Sequence, residues 1–405
     1  MMNKKTLSTQ HKTFTKQAAT SSLVALALTI AGCGGGGGGS TPAPTPTPTP
    51  TPSPAPAPAP APTPTPTPLT QDQAFEQYLT ALTTRVIVPG YENFQSRAQA
   101  LMNTTTTECQ NAGSTSDAND FGTIQTSWRE ASQAWQAVAW LGQGPAGENS
   151  NRFKIQSWPD ERGNVARGVA ALEANPETVT ATIVANTIAS AQGLTAMELI
   201  LYRAQTTPVD AVAKAKECEV LTAIATNIHN LSVSFSSAWQ ANDGIRQQLV
   251  SGSGQYTSRK DSVEELVSNW LEYFEVVKDD KLIDGITNTA RAENALSDQT
   301  TFNVRTNIDS FIKVFNADSD FGLDDVLIRA HEQNSIATQI NDSFATVTTA
   351  GNALQDSFQA EAGSVQGQAR IRALSDAMDV SRDLVRTNMV QALDLNLGFN
   401  GNDGD

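Results

Sequence analysis

The chain has 405 residues and a formal net charge of −15, with 42 acidic side chains against 27 basic ones. A surface that acidic repels phosphate backbones, which excludes nucleic acid as a partner and favours cations or cationic ligands. An apolar share of 39% is also too low for a polytopic membrane protein.

Residues 1–32 read as an export signal. Lys4, Lys5, Lys12 and Lys16 occur there with no acid, so the remainder carries −19 of a chain total of −15. The apolar run Leu23-Val-Ala-Leu-Ala-Leu-Thr-Ile30 is too short to span a bilayer as a mature helix. It ends in Ile30-Ala31-Gly32-Cys33, which resembles a bacterial lipobox, so the thiol of Cys33 is expected to carry the lipid that anchors the protein. The competing reading is an ordinary secreted chain with a chance cysteine. Gly34 stands where inner-membrane retention calls for Asp, which points to the outer membrane, on a face left open.

Residues 33–68 form a tether. Glycine fills 34–39, then proline takes every second position from Pro42 to Pro68. Proline fixes φ and lacks an N–H, so this stretch suits polyproline II, rising about 3.1 Å per residue to a reach of roughly 80 Å.

The remaining 337 residues, 69–405, hold only five prolines and long runs with apolar residues three and four apart, such as Leu221-Ile224-Ile228-Leu231-Phe235. That spacing puts apolar side chains on one face of a helix. It predicts helices at 70–111 (bent near Pro89-Gly90), 117–141, 159–173, 177–190, 193–204, 208–242, 259–279, 301–316, 328–361 and 365–395. The fold class is all-α, two packed helical bundles with a boundary near 207/208.

With Cys33 assigned to lipid, Cys109 and Cys218 remain as an even pair in an oxidising compartment: a disulfide, or two separately buried thiols. Beyond the signal there are two histidines. Neither His229 nor His331 has Glu three residues earlier, and position 335, where a zincin motif begun at His331-Glu332 would need His, is Ser335. Both read better as helix-surface or interhelical residues than as ligands. The oxygen-rich stretch 316–325 fails the EF-hand pattern at Phe321, which leaves a solvated acidic loop or a weak calcium site.

No nucleophile elbow, P-loop or dinucleotide fingerprint is present. The candidate site is marked instead by a charge in an apolar helix. Gly193-Leu-Thr195-Ala-Met-Glu198-Leu-Ile-Leu-Tyr202 is apolar nearly all round, so Glu198 must be paired, metal-bound or protonated. Thr195 lies one turn earlier on the same face. A buried Glu–Arg pair and a binding site explain the pattern equally well.

Those residues resemble the Gly-x-His-x-x-Glu signature of the imelysin-like proteins of bacterial envelopes, aligned on Gly193, Thr195 and Glu198. Further matches are Val86-Ile-Val-Pro89-Gly-Tyr91, Trp128-x6-Trp135, Trp158-Pro159-Asp160-x-Arg162, residues 221–227 and Val277-Lys278-Asp279-Asp280-Lys281-Leu282. The resemblance implies two helical bundles, 69–207 and 208–405, with a pocket between them. It also implies a ligand- or metal-binding lipoprotein of iron acquisition, with iron or another divalent metal as cofactor, Glu198 as metal ligand and iron-uptake partners in the envelope. A metallopeptidase is the alternative, since some members are so classed, and an envelope structural or adhesion lipoprotein is a third. The departure is Thr195 in the histidine position: a hydroxyl is a poor zinc or iron ligand, which puts peptidase activity in doubt. Trp158, Asp160 and Arg162 join Gly193, Thr195 and Glu198 as candidate site residues, the arginine as a partner for Glu198. Trp158-Pro159 could instead simply start and pack a helix.

Overall fold

A computed structural model describes residues 68–111, 121–203, 211–241 and 244–398. Residues 1–67, where the sequence places an export signal, Cys33 and nearly all of a tether, and residues 399–405 lie outside the described residues.

The first helix opens on a capping box, in which Thr70 accepts the N–H of Gln73 and the Gln73 side chain accepts the N–H of Thr70. Helix α1, Gln71–Leu82, passes through a π-helical turn, Thr83–Ile87, into α2, Val88–Asn111. The irregularity expected at Pro89-Gly90 is therefore a wide turn just upstream. Pro89 has no N–H to donate, and the wider turn lets the Val88 N–H reach the Thr83 carbonyl. The other long elements are α3, Gly122–Gln136; α4, Asn164–Glu173; α5, Leu194–Tyr202; and α6, Ala211–Gln240. Helix α7, Arg259–Glu275, runs on as a π-helical segment, Val276–Asp284. Then come α8, Thr300–Asn316; α9, Leu323–His331; α10, Asn334–Asn352; and α11, Val365–Asp383. The described residues contain no strand, so the chain is all-α.

Several expected spans are shorter or broken. No helix begins at Pro159: the Trp158–Pro159 bond is cis, and α4 starts at Asn164. The Asp160 carboxylate sets that start by accepting the N–H groups of Asn164 and Val165, both at 2.8 Å. The span 177–190 reduces to one short turn, Ala181–Ala185. The span 328–361 divides where Glu332 takes the left-handed conformation and again after Asn352. A short helix, Ile245–Ser251, was not expected at all.

Two aromatic clusters anchor the core. Phe94, Trp135, Phe235, Tyr91 and Trp239 pack from α2, α3 and α6, and Trp270, Phe274, Phe311, Phe315 and Phe344 pack from α7, α8 and α10. All these helices belong to one compact unit. Helix α6 runs along α2, and the Cys109–Cys218 disulfide ties the two together.

That bridge spans 109 residues of sequence, so by chain entropy it should contribute about 4–5 kcal/mol. Reduction, or Cys109→Ser with Cys218→Ser, should lower the denaturant midpoint. An unchanged midpoint would show that the link adds nothing to the helix packing.

Candidate functional site

Helix α5 presents Glu198 to the interior because the turn before it comes very close to its neighbours. A Cβ on Gly193 would lie 2.2 Å from the carbonyl oxygens of Lys154 and Ile155, so only glycine fits there. Gly193 is a close-approach residue and does not line the cavity in front of Glu198. Two residues on, Thr195 Oγ1 accepts the N–H of Ser157 at 3.1 Å, pinning the segment that carries Trp158. Trp158 in turn donates its indole N–H to the Arg291 carbonyl at 3.0 Å.

Glu198 is 4% exposed, and no arginine among the described residues meets it. Its partners are neutral and come from the loop before α8. Asn294 Nδ2 donates to Oε2 at 2.8 Å, while the Ser297 N–H and hydroxyl donate to Oε1 at 3.0 and 2.7 Å. Arg162 is exposed and forms no such pair, so the expected Glu198–Arg162 contact is replaced by Asn294 and Ser297. Asn294 sits in the left-handed region, where asparagine is enriched, and this aims its amide between two carboxylates. Burial pushes the Glu198 carboxyl above its ordinary value. The hydrogen bonds from Ser297 and Asn294 pull it back down, and the nearby Glu293 pushes it up again.

Behind Asn294 lies a polar cluster that the sequence did not announce. The Lys281 ammonium, on the π-helical segment, pairs with Glu293 at 2.9 Å, both groups being almost wholly buried. The oxygens of Gln136, Asn307 and Tyr273 stand 2.8–3.2 Å from it and share its other two protons. Gln156 and Asn303 donate to both Glu293 and Asn294, which joins the ion pair to Glu198. Burial alone would lower the Lys281 pKa, but the Glu293 carboxylate and the Tyr273 hydroxyl together outweigh it and hold the amine charged. The only hint in the sequence was the run Val277–Leu282, which resembles the family without revealing that Lys281 points inward.

The cavity in front of Glu198 measures about 510 Å³. Thr195, Glu198, Trp158 and Asp160 line it, together with Asp280, Asp284 and Arg291; Gly193 and Arg162 do not. A carboxylate offers about four acceptor positions, so the three hydrogen bonds leave Glu198 Oε2 one for a ligand.

A divalent metal does not fit this donor set. Thr195 Oγ1 already accepts from Ser157, each Asp160 oxygen accepts an N–H at the start of α4, and neutral donors take three of the four acceptor positions of Glu198. Among the described residues no three His, Cys, Asp or Glu side chains gather as a metal site. His229 and His331 are half-buried on α6 and α9 and do not line the Glu198 cavity. In the loop 316–325, Asp320 pairs with Arg85, and Asp325 accepts the Gly322 N–H to cap α9.

Two outcomes follow from this geometry. Lys281→Met strands the Glu293 carboxylate and should cost about 3–5 kcal/mol in chemical denaturation; a loss below 1 kcal/mol would mean that water reaches the pair. Glu198 has a raised folded pKa, so the folded state holds its proton more tightly than the unfolded one. The stability this adds is complete below the ordinary value of 4.5 and disappears as pH rises through the folded value. Relative to Glu198→Gln, the parent should therefore lose stability as pH is raised from 4 to 8. A pH-independent difference would contradict the assignment.

A family model for imelysin matches residues 87–385. Among solved structures, an imelysin-like protein from Psychrobacter arcticum superposes with a TM-score of 0.68 at 19% identity, covering 82% of this chain and 99% of its own. A protein described as a candidate iron-regulated protein A precursor from Parabacteroides distasonis gives 0.61 at 14% identity, covering 77% and 95%. No curated protein matches the chain. The match over residues 87–385 takes in both Glu198 and the Lys281–Glu293 pair, and the chain belongs to the imelysin family.

Proposed function

We propose that the cavity in front of Glu198 binds a small ligand, and that the protein serves iron supply in the bacterial envelope, held to the outer membrane by a lipid on Cys33. The observation that carries this reading is a buried carboxylate in the Gly193–Glu198 motif with one acceptor position open to a 510 Å³ cavity. A purely structural or adhesive lipoprotein has no need of such a cavity. The iron-related description of the Parabacteroides protein fits the role. The lipobox-like run ending in Cys33, followed by Gly34 and a long tether, supports the anchoring.

The donor chemistry favours a ligand over a bare ion. Iron would suit this site only as a complex whose own donors fill the coordination sphere. A metallopeptidase would need a ligand set and a means of activating water, and Thr195 and Glu198 supply neither.

The test is complementation. A deletion strain should grow poorly and hold less iron under iron limitation, and the parent chain should rescue it. Glu198→Gln should fail to rescue although it folds, because no cation is stranded by losing the charge. Full rescue by that variant, or stoichiometric zinc or ferrous ion retained by the purified protein after dialysis, would overturn the reading.

A further inference from the structure

A second, smaller cavity of about 200 Å³ adjoins the first, with Trp158, Pro159 and Asp280 as walls common to both. Its lining is unlike that of the Glu198 cavity. Three indoles, Trp135, Trp140 and Trp158, surround it, and Phe153 stands at its mouth, 48% exposed. Trp140 and Trp158 make no contact with another aromatic ring among the described residues, whereas Trp135 packs on Phe94 and Phe235. Trp140 itself is 2% exposed, so the ring face it offers is turned to the interior.

The charges in this cavity are uneven. Lys281 and Glu293 neutralise one another. Arg152 is half-buried and donates to the Ala139 carbonyl at 2.8 Å. Against that one guanidinium stand two carboxylates, Glu272 and Asp280, and neither has a hydrogen-bond or ion-pair partner among the described residues. Asp280 lies on the π-helical segment, where burial and then Asp284 and Asp279 push its carboxyl up while Lys281 pulls it down, and the two like charges beside it favour a positive charge there.

Carboxylates without partners, beside indole faces, suit a cation that carries its own apolar surface. A bare metal ion would be stripped of water against tryptophan and gain only two carboxylates. An organic cation is held by the ring faces, at about 0.5–2 kcal/mol per ring, while its charge meets the acids. An anion has only Arg152 to meet it and would face both carboxylates.

We propose that the smaller cavity binds a flat organic monocation, an amidine, guanidine or aryl ammonium, between Trp135, Trp140 and Trp158, with its charge on Glu272 and Asp280. This does not depend on the ligand of the Glu198 cavity, because Glu272 lines the smaller cavity alone.

The experiment uses the full chain and three probes of one shape. Benzamidine, benzamide and benzoate are titrated by tryptophan fluorescence and calorimetry. Benzamidine should quench saturably with one site, benzamide should bind about tenfold more weakly, and benzoate should not bind. Glu272→Gln and Asp280→Asn should each weaken benzamidine about tenfold without moving the melting temperature, since neither removes an internal partner. Benzoate binding as tightly as benzamidine would overturn the proposal. So would benzamidine binding that is unsaturable or unchanged by Glu272→Gln.

Discussion

A fully buried ammonium–carboxylate pair is costly unless every remaining proton and lone pair is satisfied, and the Lys281–Glu293 pair imposes that condition on the elements around it. Gln136 comes from the end of α3, Gln156 from the segment after it, Tyr273 from α7, and Asn303 and Asn307 from α8. Moving any one of these elements would leave a buried polar group unpaired. The pair fixes how the elements meet at this point more strictly than the apolar packing does, because aromatic clusters tolerate small slides and hydrogen bonds do not.

Asn294 carries that constraint to the cavity. It accepts from Gln156 and Asn303 on one side and donates to Glu198 on the other, so the orientation of its amide is set by the ion-pair cluster. Glu198 is thus a carboxylate pre-oriented by neutral donors. Such an arrangement holds an acceptor in place at low cost and leaves it unneutralised, which suits recognition of a hydrogen-bond donor more than metal ligation.

Much of the fold was legible because the helices follow the 3.6-residue period: α5, α6 and α8 lie within two or three residues of their expected ends. The errors have local causes. Pro159 suggested a helix start, yet the capping carboxylate of Asp160 acts four residues later, at Asn164. Glu332 ends α9 in a left-handed conformation that carries no glycine to announce it. The site was half legible. Glu198 stood out because it interrupts an apolar helix, and Trp158, Asp160 and Thr195 do reach its cavity.

The other half of the site was hidden by the same rule that revealed Glu198. On α8 the buried stripe includes Thr300, Asn303, Asn307 and Ser310 beside Val304, Phe311 and Val314, and a hydropathy pattern assigns such polar residues to the solvent face. Lys281 and Glu293 have ordinary charged surroundings in sequence, and Lys281 stands on a π-helical segment whose wider turn no periodicity rule anticipates. A buried charge is visible in a sequence only where its immediate neighbours are apolar. Where the partners are polar and arrive from distant segments, each looks like surface until the fold brings them together. Gly193 makes the complementary point: its place in the motif reflects the carbonyl oxygens of Lys154 and Ile155, which admit no side chain, and so it shapes the site without lining the Glu198 cavity.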